Sequence, residues 1–237
     1  MANLGHRISD PSVGNLLRRH GIPPAPERHK NTAWKDFIRA HRSALAGSDF
    51  FTAEVIPWHG LMTYYVLFFL HLDSRRVSIA GSTDHPESCW MEQMARNATL
   101  EGWGFLPSRR YLFDDRDAKF SESFRDRLAA GGVKPLKLPS RSPNRNAFAE
   151  RGVRSVKEEC LSKLVLFGEA ALRRVLAEYV EHFHAERNHP GKGNVLLFPS
   201  SDRAASNGSG RVRCQERLGG LLKYYQREAA GVALRHG

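Results

Sequence analysis

The stretch Leu61–Leu72 (LMTYYVLFFLHL) constrains the fold more than any other part of the chain. Tyr64, Tyr65, Val66, Phe68 and Phe69 are the β-branched and aromatic types that favour strands. The run is 12 residues long and is interrupted by Thr63 and His71, well short of the roughly 20 that span a bilayer. It therefore reads as a buried strand, and no membrane helix is expected.

Its flanks extend it into a meander. Phe50–Ile56 is β-rich, Pro57-Trp58-His59-Gly60 is a turn, and Asp73-Ser74-Arg75-Arg76 leads into a third strand, Val77–Gly81. A helix over Pro86–Thr99 follows, then a short strand at Tyr111–Phe113. Next come a helix over Ser121–Ala130 stopped by Gly131-Gly132, and a fifth strand, Val133–Leu138. After the loop Pro139–Asn144 come two helices. In the second, Leu172, Val175, Leu176, Tyr179, Val180 and Phe183 fall at i, i+3, i+4, i+7, i+8 and i+11, a full apolar stripe. The order βββ-α-β-α-β-α-α specifies an α/β layer with a mixed sheet.

Three segments are expected. Residues 1–33 hold one short helix, with Ser9 or Asp10 as N-cap, Pro11 in the first turn and Gly21 closing it, followed by a linker set by Pro23, Pro24 and Pro26. That helix reads as a packing helix, or else as the last piece of a helix-turn-helix. Residues 34–199 form the main domain. Residues 200–237 form a basic tail with a Ser/Gly-rich break at Ser206–Gly210 and a short helix over Glu216–Arg227.

Charge narrows the partners. The 237 residues carry 36 Lys+Arg against 25 Asp+Glu, a formal charge of +11, while 41% hydrophobic and 10% aromatic content excludes general disorder. The surplus is concentrated. Lys134–Lys157 has a local charge of +6 and Ser200–Gly237 one of +4. Nucleic acid, an acidic membrane surface or acidic proteins would all suit such a balance. The start, MANLGHRISDPS, lacks a secretory signal, and Cys89, Cys160 and Cys214 are odd in number and far apart, so a reducing cytosol is expected.

The acids fall at telling places in this order. Asp49 precedes or opens the first strand, Asp114, Asp115 and Asp117 follow the fourth, and Glu150 lies in the first turns of the helix after the fifth. If the first and fourth strands are sheet neighbours, these acids converge. Converging carboxylates suit Mg²⁺, a hard cation held by oxygen ligands, water and substrate phosphate, and so point to phosphoryl transfer. On residue type alone, turn and helix capping is the simpler account of the same acids.

Longer segments favour the site. Gly47–Val55 (GSDFFTAEV), Leu72–Val77 (LDSRRV), Phe113–Phe120 (FDDRDAKF) and Ser142–Leu161 together resemble the catalytic core of the integrase and transposase superfamily, the retroviral-integrase-like DDE enzymes of bacterial insertion sequences. The resemblance covers residues 34–199. It implies a ribonuclease H-like fold, a mixed five-stranded sheet flanked by helices, and a triad of Asp49, Asp115 and Glu150 that acts catalytically by holding Mg²⁺ or Mn²⁺, two ions in all. Asp115 and Glu150 are separated by 34 residues, close to the family's interval. Asp114 takes the place of a histidine usual in this branch, a departure that puts an extra acid near the metals.

The resemblance also implies metal-dependent DNA cleavage and strand transfer. The partners would be mobile-element ends and target DNA, handled by a homo-oligomer in the bacterial cytosol. Arg141 and Arg145, in the loop before the Glu150 helix, and Arg151, Arg154 and Lys157 on that helix are the expected DNA contacts. Glu150, Arg154 and Lys157 follow i, i+4, i+7 on one face, while Val153, Val156, Cys160 and Leu164 form the stripe that docks on the sheet. Ordinary helix ion pairs are the alternative for those three. Two other readings of the whole remain: an N-terminally truncated, inactive DNA-binding remnant of a mobile element, and a simple nuclease of the same fold. His182, His184 and His189 are expected to pack the last core helix rather than bind metal. Asp73 is expected to be structural, and Trp58, Trp90 and Trp103 to be core.

Overall fold

The structure is a computed structural model that describes residues 10–21, 36, 38–58, 60–107, 110–114, 117–137, 147–189, 192–199 and 211–227. The chain divides into two units, Met1–Arg42 and Ser43–Gly237. In the first, α1 (Asp10–Arg19) forms where the cap and Pro11 place it, and Gly21 beyond its end takes a φ of +63° that L side chains rarely adopt.

The second unit is built on a five-stranded sheet. Its strands are β1 (Leu45–Val55), β2 (Met62–His71), β3 (Val77–Thr83), β4 (Tyr111–Asp114) and β5 (Lys134–Lys137), in the order β3-β2-β1-β4-β5. β1–β2 and β2–β3 are antiparallel, while β1–β4 and β4–β5 are parallel. The mixed sheet expected from the element order is therefore present, and the condition for convergence of the acids holds because β1 and β4 are direct neighbours. Helices α2 (Ser88–Thr99) and α3 (Glu122–Ala130) cover one face; α4 (Ala147–Glu159) and α5 (Gly168–Ala185) cover the other.

Strand alternation sorts the side chains between two cores. Phe51, Ala53 and Val55 of β1 and Val66, Phe68 and Leu70 of β2 pack with Val156, Cys160, Leu172, Val175, Leu176 and Tyr179. Ala46, Leu67, Phe69 and Leu112 pack with Met91, Ala95, Phe124 and Leu128 on the opposite side. The apolar stripes expected on α4 and α5 are the faces that dock. Burial pushes the Cys160 thiol up to about 11.

Three expectations need correction. Residues 216–227 are not a helix: β6 (Val212–Arg217) and β7 (Leu222–Arg227) form an antiparallel hairpin. Leu218, Gly219 and Gly220 in its turn all have positive φ, which two consecutive glycines make affordable and which a helix excludes. Asp49 does not open β1 but is its fifth residue, because Leu45–Gly47 pair with Tyr111–Phe113 and extend the strand backwards. Trp58 and Trp103 are exposed rather than core, and only Trp90 packs inward, beside Phe50.

Candidate functional site

Asp49 faces the α4 side of the sheet, since it shares the alternation of Phe51, Ala53 and Val55. It is half-buried, its Oδ1 accepts the Phe50 backbone N–H at 2.8 Å, and its cross-strand partner on β2 is Phe68. Glu150 reaches the same side from α4. Ala149 is buried in the Phe51–Phe68 core, and a Cβ built on Gly152 would sit 3.9 Å from the Phe68 ring. The start of α4 thus packs on the core that contains the residue paired with Asp49, and Glu150, exposed in its first turn, shares that side of the sheet.

Asp115, Arg141 and Arg145 lie outside the described residues. Asp114, the last residue of β4, belongs to the other face. It shares the alternation of Leu112, is only 1% exposed, and its Oδ2 accepts from Arg125 Nε of α3 at 2.7 Å. Sequence inspection missed this ion pair; the two-residue step from core Leu112 to Asp114 was the available signal. Asp117 is engaged as well. Burial pushes its carboxyl up, but hydrogen bonds from the Lys119 backbone and side chain, with the Lys119 charge, outweigh this and hold it below its ordinary value. Lys119 Nζ in turn lies 5.0 Å from the Tyr65 ring centroid and 5.6 Å from that of Phe50.

Arg151 and Arg154 are exposed on α4 and Lys157 is half-buried. Among the described residues no ion pair joins Glu150 to Arg154 or Lys157, which favours an open carboxylate over the helix-pair alternative. Among the described residues, too, no three His, Cys, Asp or Glu side chains group closely enough to hold a metal ion. The donors that do share a face, Asp49 and Glu150, are both oxygen ligands, the type that Mg²⁺ and Mn²⁺ take.

The histidines serve packing, as expected. His184 Nε2 accepts the Val77 backbone N–H at 2.9 Å, and burial, with Arg76 nearby, lowers its pKa to about 4. His189 Nε2 lies 2.8 Å from the Phe183 carbonyl. His182 Nδ1 is 3.1 Å from buried Glu186, which also accepts from Arg217 of β6 at 2.8 and 2.9 Å. Arg217 further donates to Glu178 at 3.0 Å, so α5 and the hairpin share one charge-matched cluster. Asp73 is exposed in the β2–β3 turn, and its carbonyl accepts from Lys192.

Residues 132–195 match the model of a family described as the integrase core domain. No curated protein matches the chain. Among solved structures, the catalytic core domain of HTLV-2 integrase, determined with magnesium in a dimeric form, is similar at 12% identity and a TM-score of 0.48, over 65% of this chain and 93% of that one. A chain of the simian T-cell lymphotropic virus intasome, in complex with PP2A regulatory subunit B56 gamma, gives 12% identity and a TM-score of 0.46, covering 77% and 66%. The catalytic core domain of BIV integrase gives 14% and 0.43, covering 63% and 88%. The matched stretch 132–195 contains Glu150 and the α4 cations but neither Asp49 nor Asp115. Over those residues the chain is similar to the integrase core domain family; its mixed five-stranded sheet carries α2 and α3 on one face and α4 and α5 on the other.

Proposed function

We propose that residues 34–199 form a DDE-type polynucleotidyl transferase that cleaves a phosphodiester at a mobile-element end and joins the freed 3′-hydroxyl to target DNA. The observation that carries this reading is the approach of Asp49 and Glu150 from β1 and α4 to one side of the sheet, beside the carboxyl end of parallel β4. In open α/β sheets that end of the strands is where ligands bind.

Asp49 and Glu150 would supply two of the carboxylates for a pair of divalent ions, Mg²⁺ or Mn²⁺, and Asp115 the third. Such a pair activates the attacking oxygen and stabilises the leaving one. Arg151, Arg154 and Lys157 receive the phosphate backbone, as Arg141 and Arg145 would from the preceding loop, and fix its register relative to the carboxylates. Both reactions are in-line displacements at phosphorus, with water attacking in cleavage and the DNA 3′-oxygen in joining. No Ser or Tyr nucleophile takes part. Two DNA segments must meet in one event, which suits a homo-oligomer assembled on DNA in the bacterial cytosol.

The decisive experiment is Glu150→Gln. Metal-dependent nicking and joining should be abolished, while DNA affinity and melting temperature stay close to wild type. Joined products identify a transferase, and nicks alone a nuclease. Wild-type protein that binds DNA yet yields neither with Mg²⁺ or Mn²⁺ would sink the enzymatic reading.

A further inference from the structure

Trp58 is fully exposed, at 100%, in the turn between β1 and β2. It does not stand alone. Ile56 and Leu61 on the same turn are 39% and 68% exposed, and a second loop abuts them: the Ile56 N–H donates to the Leu166 carbonyl at 2.8 Å and the Gly168 N–H to the Ile56 carbonyl at 3.1 Å. This second loop exposes Val165 and Phe167, at 66% and 71%. Contiguous exposed apolar surface around a bare tryptophan marks a contact surface.

Charge and direction indicate the partner. α4 starts over Phe68 and leads to Cys160, which belongs to the same buried core as Val55 and Leu166, the residues on either side of the patch. The side chains met on that path include Arg151, Arg154, Lys157 and Lys163, with Arg174 beside Phe167. Two of the acids nearby are engaged, Glu159 with Arg187 and Glu54 with Thr63, which leaves exposed Glu158 as a counter-charge on α4. A cationic track from paired carboxylates to a projecting aromatic suits a polyanion with π-faces, and suits a second copy of this +11 chain poorly.

We propose that Trp58 stacks on DNA bases while the same DNA lies in the carboxylate site, a deepening that rests on the function proposed above. The seven steps from Asp49 to Ile56 span about 23 Å at roughly 3.3 Å per residue. At about 3.4 Å per nucleotide, and with Trp58 two residues further on, contact falls some seven to nine nucleotides from the scissile phosphate. Trp58 is thus a substrate-positioning residue, set apart from the reacting atoms.

The test uses the full chain and element-end DNA with one strand left unpaired over the tested stretch, because a base inside an intact duplex has no free ring face. Trp58→Ala should weaken binding about tenfold or more, the effect of losing a base–aromatic stack, and Trp58→Phe should restore most of it. Melting temperature should not move, because the side chain is fully exposed. With 5-iodouracil placed singly along the DNA, photocross-linking to Trp58 should peak seven to nine nucleotides from the scissile phosphate. Unchanged affinity in Trp58→Ala, or a cross-link maximum within about four nucleotides or beyond about twelve, overturns the assignment and leaves the transferase reading standing. Lost self-association with unchanged DNA affinity also overturns it, in favour of contact between copies. If the wild type itself binds no DNA, both fall together.

Discussion

Two acid-bearing regions sit on the same side of the sheet and differ in how deeply they are buried. At the end of α5, Glu186 is 3% exposed and held by Arg217, with His182 at hydrogen-bond distance, while Arg217 also reaches Glu178. At the start of α4, Glu150 is exposed on the side of the sheet that Asp49 faces, with cations beside it on the helix. The first cluster has its bonding capacity met from within the chain, so its worth lies in stability. The second lies nearer the surface, with Glu150 exposed and Asp49 half-buried, so solutes can reach it. Asp114 extends the contrast to neighbouring strands: it lies buried against Arg125, beside β1, whose Asp49 faces the opposite way.

The contrast can be broken in three further ways besides Glu150→Gln. The largest effect is expected from Glu186→Gln, which neutralises the buried partner of half-buried Arg217 and removes its main counter-charge. Removing one partner of a buried pair costs about 3–5 kcal/mol. For a domain of this size that corresponds to a fall of roughly 6–20 °C in melting temperature, with metal-dependent turnover per folded molecule unchanged. Asp114→Asn should cost less, about 1–3 kcal/mol for the weakened Arg125 contact, seen as a smaller drop in thermal unfolding. Loss of all chemistry in a normally folded Asp114→Asn protein would instead place that carboxylate in the metal site and erase the distinction between the two faces.

The smallest effect is a pH dependence. His71 and His184 both have pKa values lowered to about 4, chiefly by burial, against an ordinary 6.5. Between about pH 6.5 and 4 the unfolded chain binds protons that the folded chain refuses, so stability falls as pH drops through that window and is full above it. His184→Gln, whose side-chain carbonyl can still accept from Val77 N–H, should flatten part of the slope in urea titrations run from pH 7 to 4.5. An unaltered slope would show that the packed end of α5 does not set the acid response.

Much of this was legible in the sequence, for identifiable reasons. The aromatic and β-branched run around Phe68, the turn residues flanking it and the stripe from Leu172 to Phe183 each carry a strong local signal. The hairpin at 212–227 was not, because paired tyrosines in a charged segment fit a helix on composition. Gly219-Gly220, costing about 1 kcal/mol each inside a helix, and the alternating burial from Leu222 onward carried the better reading. The start of β1 was hidden by Ala46, Gly47 and Ser48, poor strand formers drawn into the sheet by β2 and β4 on either side. The Glu186–Arg217 and Asp114–Arg125 pairs were invisible for a different reason: their partners are brought together only by the tertiary fold. Trp58 was misjudged because tryptophan is usually well buried, and only the hairpin geometry shows that nothing covers it.

The parallel pairing of β1 with β4 has a further consequence, one of timing. Leu45 pairs with Tyr111, and Asp49 and Glu150 are separated by 101 positions, so the site depends on contacts of long sequence separation. The β1–β2–β3 meander needs only its own short turns and can form as soon as it leaves the ribosome, whereas closing β4 onto β1 must wait for residues 111–114 and laying α4 across the sheet for residues 147–159. Asp49 therefore spends the early part of synthesis on a sheet with no opposing acid. The meander thus precedes both the completed core, which needs α4 and α5, and the arrival of Glu150 on the side of the sheet that Asp49 faces.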